Sequence, residues 1–187
     1  MEPPRSRPAS RRRGADPSGA ATGRGRDAVG SLTSGRVEAG DPAPPFALVG
    51  HDGVTHSLAD YRGRRVVLYF YPEDDTPTCT VQACELRDHW QVLQTAGVEV
   101  LGVSPDDTVS HQRFRRKFKL PFTLLSDPDR AAAISYGVWG EKVLYGRRYI
   151  GLHRTTFIIG PDGVLTHRFD RVRTKGHGAR IAAALGA

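Results

Sequence analysis

The chain has 187 residues and a formal net charge of +7, and five of those charges fall in residues 1–36, where eight Arg face only Glu2, Asp16 and Asp27. This length allows one domain of ordinary size plus an appendage, and residues 37–187 are close to charge balance, so the charge leaves an acidic-surface or nucleic-acid partner open for the tail alone, and nucleic-acid binding is not expected. Two cysteines make no secreted disulfide framework, no apolar run approaches the roughly 18–20 residues that span a bilayer, and Arg11-Arg12-Arg13 lacks the apolar stretch of a secretory or twin-arginine signal, so a reducing cytoplasm is expected.

Residues 1–36 are rich in Arg, Gly and Pro, with Val29 and Leu32 almost their only sizeable apolar groups. Such a segment cannot bury enough surface to offset chain entropy and is expected to be a disordered basic tail, or to precede the true start. The domain is expected over 37–187. Within it, Phe46–Leu48 and Val54–Leu58 flank Asp52-Gly53, which predicts an N-terminal β-hairpin. The β-branched and aromatic run Val66–Tyr71 predicts a buried strand, followed by a helix over about Pro77–Ala96. A second buried strand is expected at Val98–Val103, a helix at about Asp107–Lys119 and a short strand at Phe122–Leu125. A short helix near Arg130–Tyr136 then leads into a Gly-rich loop. Arg154–Ile159 and Val164–Phe169 read as strands joined at Pro161-Asp162-Gly163, and Ala179–Leu185 as a closing helix. The order describes an α/β fold with a central mixed β-sheet flanked by helices.

The most informative residue is Cys79. Thr76 fits an N-cap and Pro77 a first helical position, where a missing N–H costs nothing. Cys79 therefore lies in the first turn of a helix, where free amides and the positive end of the macrodipole favour a thiolate. At 100° per residue, Ala83, Leu86, Trp90 and Leu93 fall within about 40° of Cys79, so the sulfur shares the stripe that packs on the sheet. Cys84, the only other cysteine, lies about 140° away on the outer side. In an intact helix their Cα atoms stand about 8–9 Å apart. A disulfide tolerates about 7 Å, so a bond between them requires the first turn or more to unwind. The residues alone leave open that either cysteine is a small buried hydrophobe and Thr76 a plain cap.

Pro72-x3-Thr76-x2-Cys79, together with Arg154 in Gly151-Leu152-His153-Arg154-Thr155-Thr156-Phe157, resembles the peroxiredoxin signature. Ser104-Pro105-Asp106, Leu120-Pro121-Phe122, Leu124-Leu125-Ser126-Asp127 and Tyr136-Gly137-Val138-Trp139-Gly140 are similar to the bacterioferritin comigratory protein (PrxQ) branch. The resemblance implies a thioredoxin-like fold and a peroxidase acting on hydrogen peroxide and organic hydroperoxides. Cys79 would be the peroxidatic thiolate that becomes a sulfenic acid, and Cys84 the thiol that resolves it as an intramolecular disulfide. Thr76 would offer its hydroxyl to thiolate and peroxide, and Pro72 would shield the sulfenic acid from water. Arg154 would stabilise the thiolate and the charge on the breaking O–O bond. The resemblance further implies recycling by thioredoxin or glutaredoxin, no metal, haem or flavin, and a monomer or sometimes a dimer. The chain departs from the branch at Thr78 (often Gly), Gln82 (often Glu) and Leu86 (often Phe).

Other signals carry less. In Phe114-Arg115-Arg116-Lys117-Phe118-Lys119 the two Phe are four apart, so the basic residues read as the solvated face of an amphipathic helix rather than a nucleic-acid surface. Cys79, Cys84 and His89 fall at five-residue intervals that spiral around a helix and do not converge on a metal. His153, beside Arg154, is the histidine expected to act on the site electrostatically. A peroxide-responsive sensor using the same disulfide switch is the rival reading from another class. A disulfide oxidoreductase is disfavoured by the absence of Cys-x-x-Cys.

Overall fold

Alternation along residues 66–71 organises the computed structural model, which describes residues 35–187. Apart from Gly35 and Arg36, the expected tail lies outside the described residues. Val66, Leu68 and Phe70 enter one hydrophobic core and Val67, Tyr69 and Tyr71 another, because successive side chains of a strand point to opposite faces. A strand covered on both faces reads as a continuous apolar run, as this one does.

In chain order, β1 (Ala47–Gly50) and β2 (Thr55–Ser57) form the expected N-terminal hairpin, and a 3₁₀ turn (Leu58–Tyr61) leads to β3 (Arg65–Phe70). Then come α1 (Pro77–Asp88), α2 (Trp90–Thr95), β4 (Val98–Ser104), α3 (Thr108–Phe118), β5 (Thr123–Ser126) and α4 (Ala131–Ser135). The chain closes with β6 (Trp139–Leu144), β7 (Arg147–Leu152), β8 (Thr155–Ile159), β9 (Leu165–Asp170) and α5 (His177–Leu185). Seven strands form one mixed sheet in the order β2-β1-β5-β4-β3-β8-β9, with β5, β4 and β3 parallel and the other pairings antiparallel. Ala83 and Leu86 of α1, Leu93 of α2, Phe114 of α3 and Ile181 of α5 pack on one face, and Ala132 and Ala133 of α4 on the other. Gly102 of β4 sits opposite Tyr69, where a Cβ would lie 2.6 Å from the tyrosine oxygen, so only glycine leaves that ring its place.

Three local expectations change. The helix expected over 77–96 breaks at His89, whose backbone sits at φ −99°, ψ 4°. The His89 Nδ1 approaches the Glu85 carbonyl at 2.9 Å and competes for the acceptor that would continue the helix. Gly178 of α5 presses on the same spot, where a Cβ would lie 2.4 Å from the Glu85 oxygen. The Gly-rich loop is instead the separate two-stranded hairpin β6–β7. Tyr145 and Gly146 at its tip both have positive φ (49° and 75°), as a two-residue turn matched to strand twist requires. Finally, α5 starts at His177 rather than Ala179, after Gly176 in the left-handed region (φ 71°). The basic run behaves as its periodicity predicts: Phe114 is buried and Phe118 half-buried, while Arg113, Arg116, Lys117 and Lys119 are exposed.

Candidate active site

The site lies at the C-terminal end of β3, where the chain leaves the sheet to start a helix. Thr76 is extended (φ −79°, ψ 151°), Pro77 takes the first helical position, and the first α-helical bond runs from the Thr80 N–H to the Thr76 carbonyl (2.9 Å). The amides of Thr78 and Cys79 consequently have no acceptor within the helix and present the positive end of α1. The Thr76 hydroxyl makes no cap bond and donates to the Glu73 carbonyl at 3.3 Å, so Thr76 caps through its backbone conformation alone. Cys79 is buried among Tyr69, Tyr71, Ala83 and Leu86, on the stripe expected from helical spacing.

Arg154 reaches this pocket from the residue before β8. Its Nη2 donates to the Cys79 sulfur at 3.0 Å, and its Nη1 donates to the Gln82 Oε1. Gln82 is fully buried, and its Nε2 has no partner among the described residues. The amide therefore aligns the guanidinium without adding charge. Cys84 is half-buried, and both cysteines are free thiols on one unbroken helix, so their bonding still requires that helix to open. Pro72, just beyond the end of β3, is exposed. The structure thus joins Cys79 and Arg154 directly, sets Thr76 one turn earlier, and leaves Cys84 and Pro72 outside the immediate contact.

Burial, followed by negative charge at Asp74 and Cys79, pushes the Tyr69 hydroxyl well above its ordinary range, so it stays neutral, and it has no partner among the described residues. Tyr71 is raised by burial and then by Tyr69 and Asp74, and its hydroxyl donates to the Asp74 Oδ1 at 2.7 Å. The other Asp74 oxygen lies 2.8 Å from the Nδ1 of fully buried His111. His177 is pushed down to about 4 by burial, then by Arg180 and Arg154, and its Nε2 lies 2.9 Å from the Thr156 hydroxyl. The Arg154 charge thus reaches His177 of α5, whose partner Thr156 lies two residues beyond Arg154, while His153 is exposed.

A profile described as the AhpC/TSA family matches residues 39–168. Peroxiredoxin Bcp of Escherichia coli is 49% identical over 141 residues, covering 75% of this chain and 90% of its own. The chain belongs to the AhpC/TSA family, among its Bcp/PrxQ peroxiredoxins. Solved relatives agree. Peroxiredoxin Q of Xanthomonas campestris superposes with a TM-score of 0.72 at 34% identity, over 75% of this chain and 89% of that one. PrxQ of Xylella fastidiosa gives 0.76 at 30% identity, over 81% and 97%. The fold is the thioredoxin-like fold of these peroxiredoxins.

Membership supports thiol peroxidase chemistry for this oxidoreductase. Among the described residues of this peroxiredoxin, no helix is long and apolar enough to cross a membrane. Sequence reasoning missed the partners of Asp74 and Thr156. His111 is 37 residues from Asp74 and His177 is 21 from Thr156, so no local pattern announces either contact. The one available signal was that His111 falls three before Phe114 on an apolar helix face.

Proposed function

We propose that the chain reduces hydrogen peroxide and organic hydroperoxides through Cys79, with Cys84 as the resolving thiol and thioredoxin or glutaredoxin as reductant. The Cys79 thiolate attacks one peroxide oxygen and the O–O bond breaks. The departing oxygen takes a proton and leaves as water or an alcohol, and Cys79 becomes a sulfenic acid. Arg154 and the first-turn amides offset the charge that moves onto the leaving oxygen, and the Thr76 hydroxyl turns from the Glu73 carbonyl to the reacting atoms when peroxide binds. The Cys84 sulfur then attacks the sulfenic sulfur, water leaves and a disulfide forms. A dithiol partner returns both cysteines to thiols by exchange, which the opening of α1 exposes. Pro72, at the rim, would limit water at the sulfenic acid. The observation that carries this reading is the Arg154 guanidinium 3.0 Å from a buried sulfur in the first turn of α1.

Two free thiols suit a reducing compartment such as the cytoplasm. The domain would begin near residue 37, with the preceding basic segment outside the chemistry. Turnover decides the reading. With thioredoxin, thioredoxin reductase and NADPH, the protein is expected to consume peroxide over many cycles, and Cys79→Ser to consume none. A single stoichiometric oxidation without turnover would instead indicate a sensor. Normal cycling by Cys84→Ser would remove Cys84 from the mechanism.

A further inference from the structure

The loop between β3 and α1 holds a buried polar cluster that the chemistry above does not use. The Asp74 side chain is 2% exposed and that of His111 is fully buried. Its carboxylate accepts from the Tyr71 hydroxyl and pairs with the His111 Nδ1, and its backbone N–H donates to the Asp106 Oδ2 at 2.9 Å. That Asp106 oxygen also accepts from the Ser104 hydroxyl at 2.6 Å. Three segments distant in sequence therefore converge on Asp74: the end of β3, the turn after β4, and α3.

Stability alone does not account for this arrangement. Taking a carboxylate out of water is costly, and a buried pair seldom does better than apolar residues of similar volume. What the cluster does supply is one fixed position for residue 74. Only Asp75, in the left-handed region (φ 55°) with its carboxylate 2.7 Å from Lys117 Nζ, separates that anchor from Thr76. Arg154 arrives from a different strand, so the Cys79–Arg154 distance depends on where this loop delivers the start of α1. A displacement of about 1 Å at a reacting centre can cost on the order of a hundredfold in rate.

We propose that Asp74, clamped by Tyr71 and His111, is a positioning residue that sets Thr76 and Cys79 against Arg154 for the peroxide step and takes no part in disulfide closure. The proposal rests on Cys79 being the peroxidatic residue. Disulfide closure requires α1 to leave the arrangement that the clamp maintains, so the two steps should respond differently.

Quench-flow with intact-mass readout separates oxidation of Cys79 by hydrogen peroxide from the subsequent Cys79–Cys84 closure. The double variant Asp74→Ala/His111→Leu leaves no unpaired buried charge, and Asp74→Asn keeps the shape and the Tyr71 bond. In the double variant, oxidation is expected to slow about tenfold while closure stays within about twofold of wild type. Asp74→Asn is expected to recover most of the oxidation rate. Tyr71→Phe, which deletes one clamp with little change of volume, is expected to show the same split at a few-fold. Oxidation at the wild-type rate in the folded double variant or in Tyr71→Phe overturns the proposal, as does a parallel fall of both steps. Failure of wild-type Cys79 to oxidise would instead overturn the peroxidase reading itself.

Discussion

The segment that carries Cys79, residues 71–88, meets Arg154 through side chains, and the β6–β7 hairpin, residues 139–152, precedes it in the chain, but the two place their side chains in opposite ways. In the first, polar groups go inside: Asp74 and Gln82 are buried and bonded to residues far away in sequence. In the second, apolar groups stay outside, with Val143 64%, Tyr145 96% and Ile150 60% exposed. The hairpin is held by its own ladder and by buried Leu152 and half-buried Trp139 at its root. One region is specified by long-range contacts, which fix the position of Cys79 against Arg154. The other is specified locally, so its tip is free to vary.

Substitutions can break or sharpen this contrast. The largest effect is expected at Arg154. Arg154→Met removes the donor to Cys79 and is expected to slow single-turnover oxidation on the order of a hundredfold, with a normal unfolding midpoint. At the hairpin root, Leu152→Ala is expected to cost about 2–5 kcal/mol in urea unfolding, because it empties space in a filled core. His177 gives a pH-dependent effect. Its folded value, depressed from 6.5 to about 4, means that below 6.5 the unfolded chain binds a proton the folded chain refuses. Stability is therefore expected to fall as pH drops from 6.5 through about 4, by about 3 kcal/mol at most, and His177→Asn should flatten that slope in urea titrations. At the hairpin tip, Tyr145→Ser is expected to change stability by under about 0.5 kcal/mol and leave the oxidation rate unaltered. A large loss there would show that the tip packs on something its exposure hides.

Most of the fold and the chemical centre could be read from local patterns. The apolar run of β3, the Thr76-Pro77 start of α1 and the stripe through Cys79, Ala83 and Leu86 follow from periods of 2 and 3.6, and all of them appear. The hairpin was missed because four glycines among residues 137–151 outweighed an alternation that is weak where neither face is buried. The break at His89 and the start of α5 depend on one another through Gly178, a contact between residues about ninety apart. The polar cluster around Asp74 was illegible for the same reason. Buried polar groups are specified by their partners, and partners are a property of the fold.

The most direct measurement is single-turnover oxidation of the Cys84→Ser protein by hydrogen peroxide, followed by intact mass with and without Arg154→Met. The account predicts oxidation of Cys79 orders of magnitude faster than free cysteine, accumulation of its sulfenic or sulfinic acid, and a roughly hundredfold loss when the guanidinium is removed. Oxidation no faster than free cysteine, or indifferent to Arg154, would contradict it.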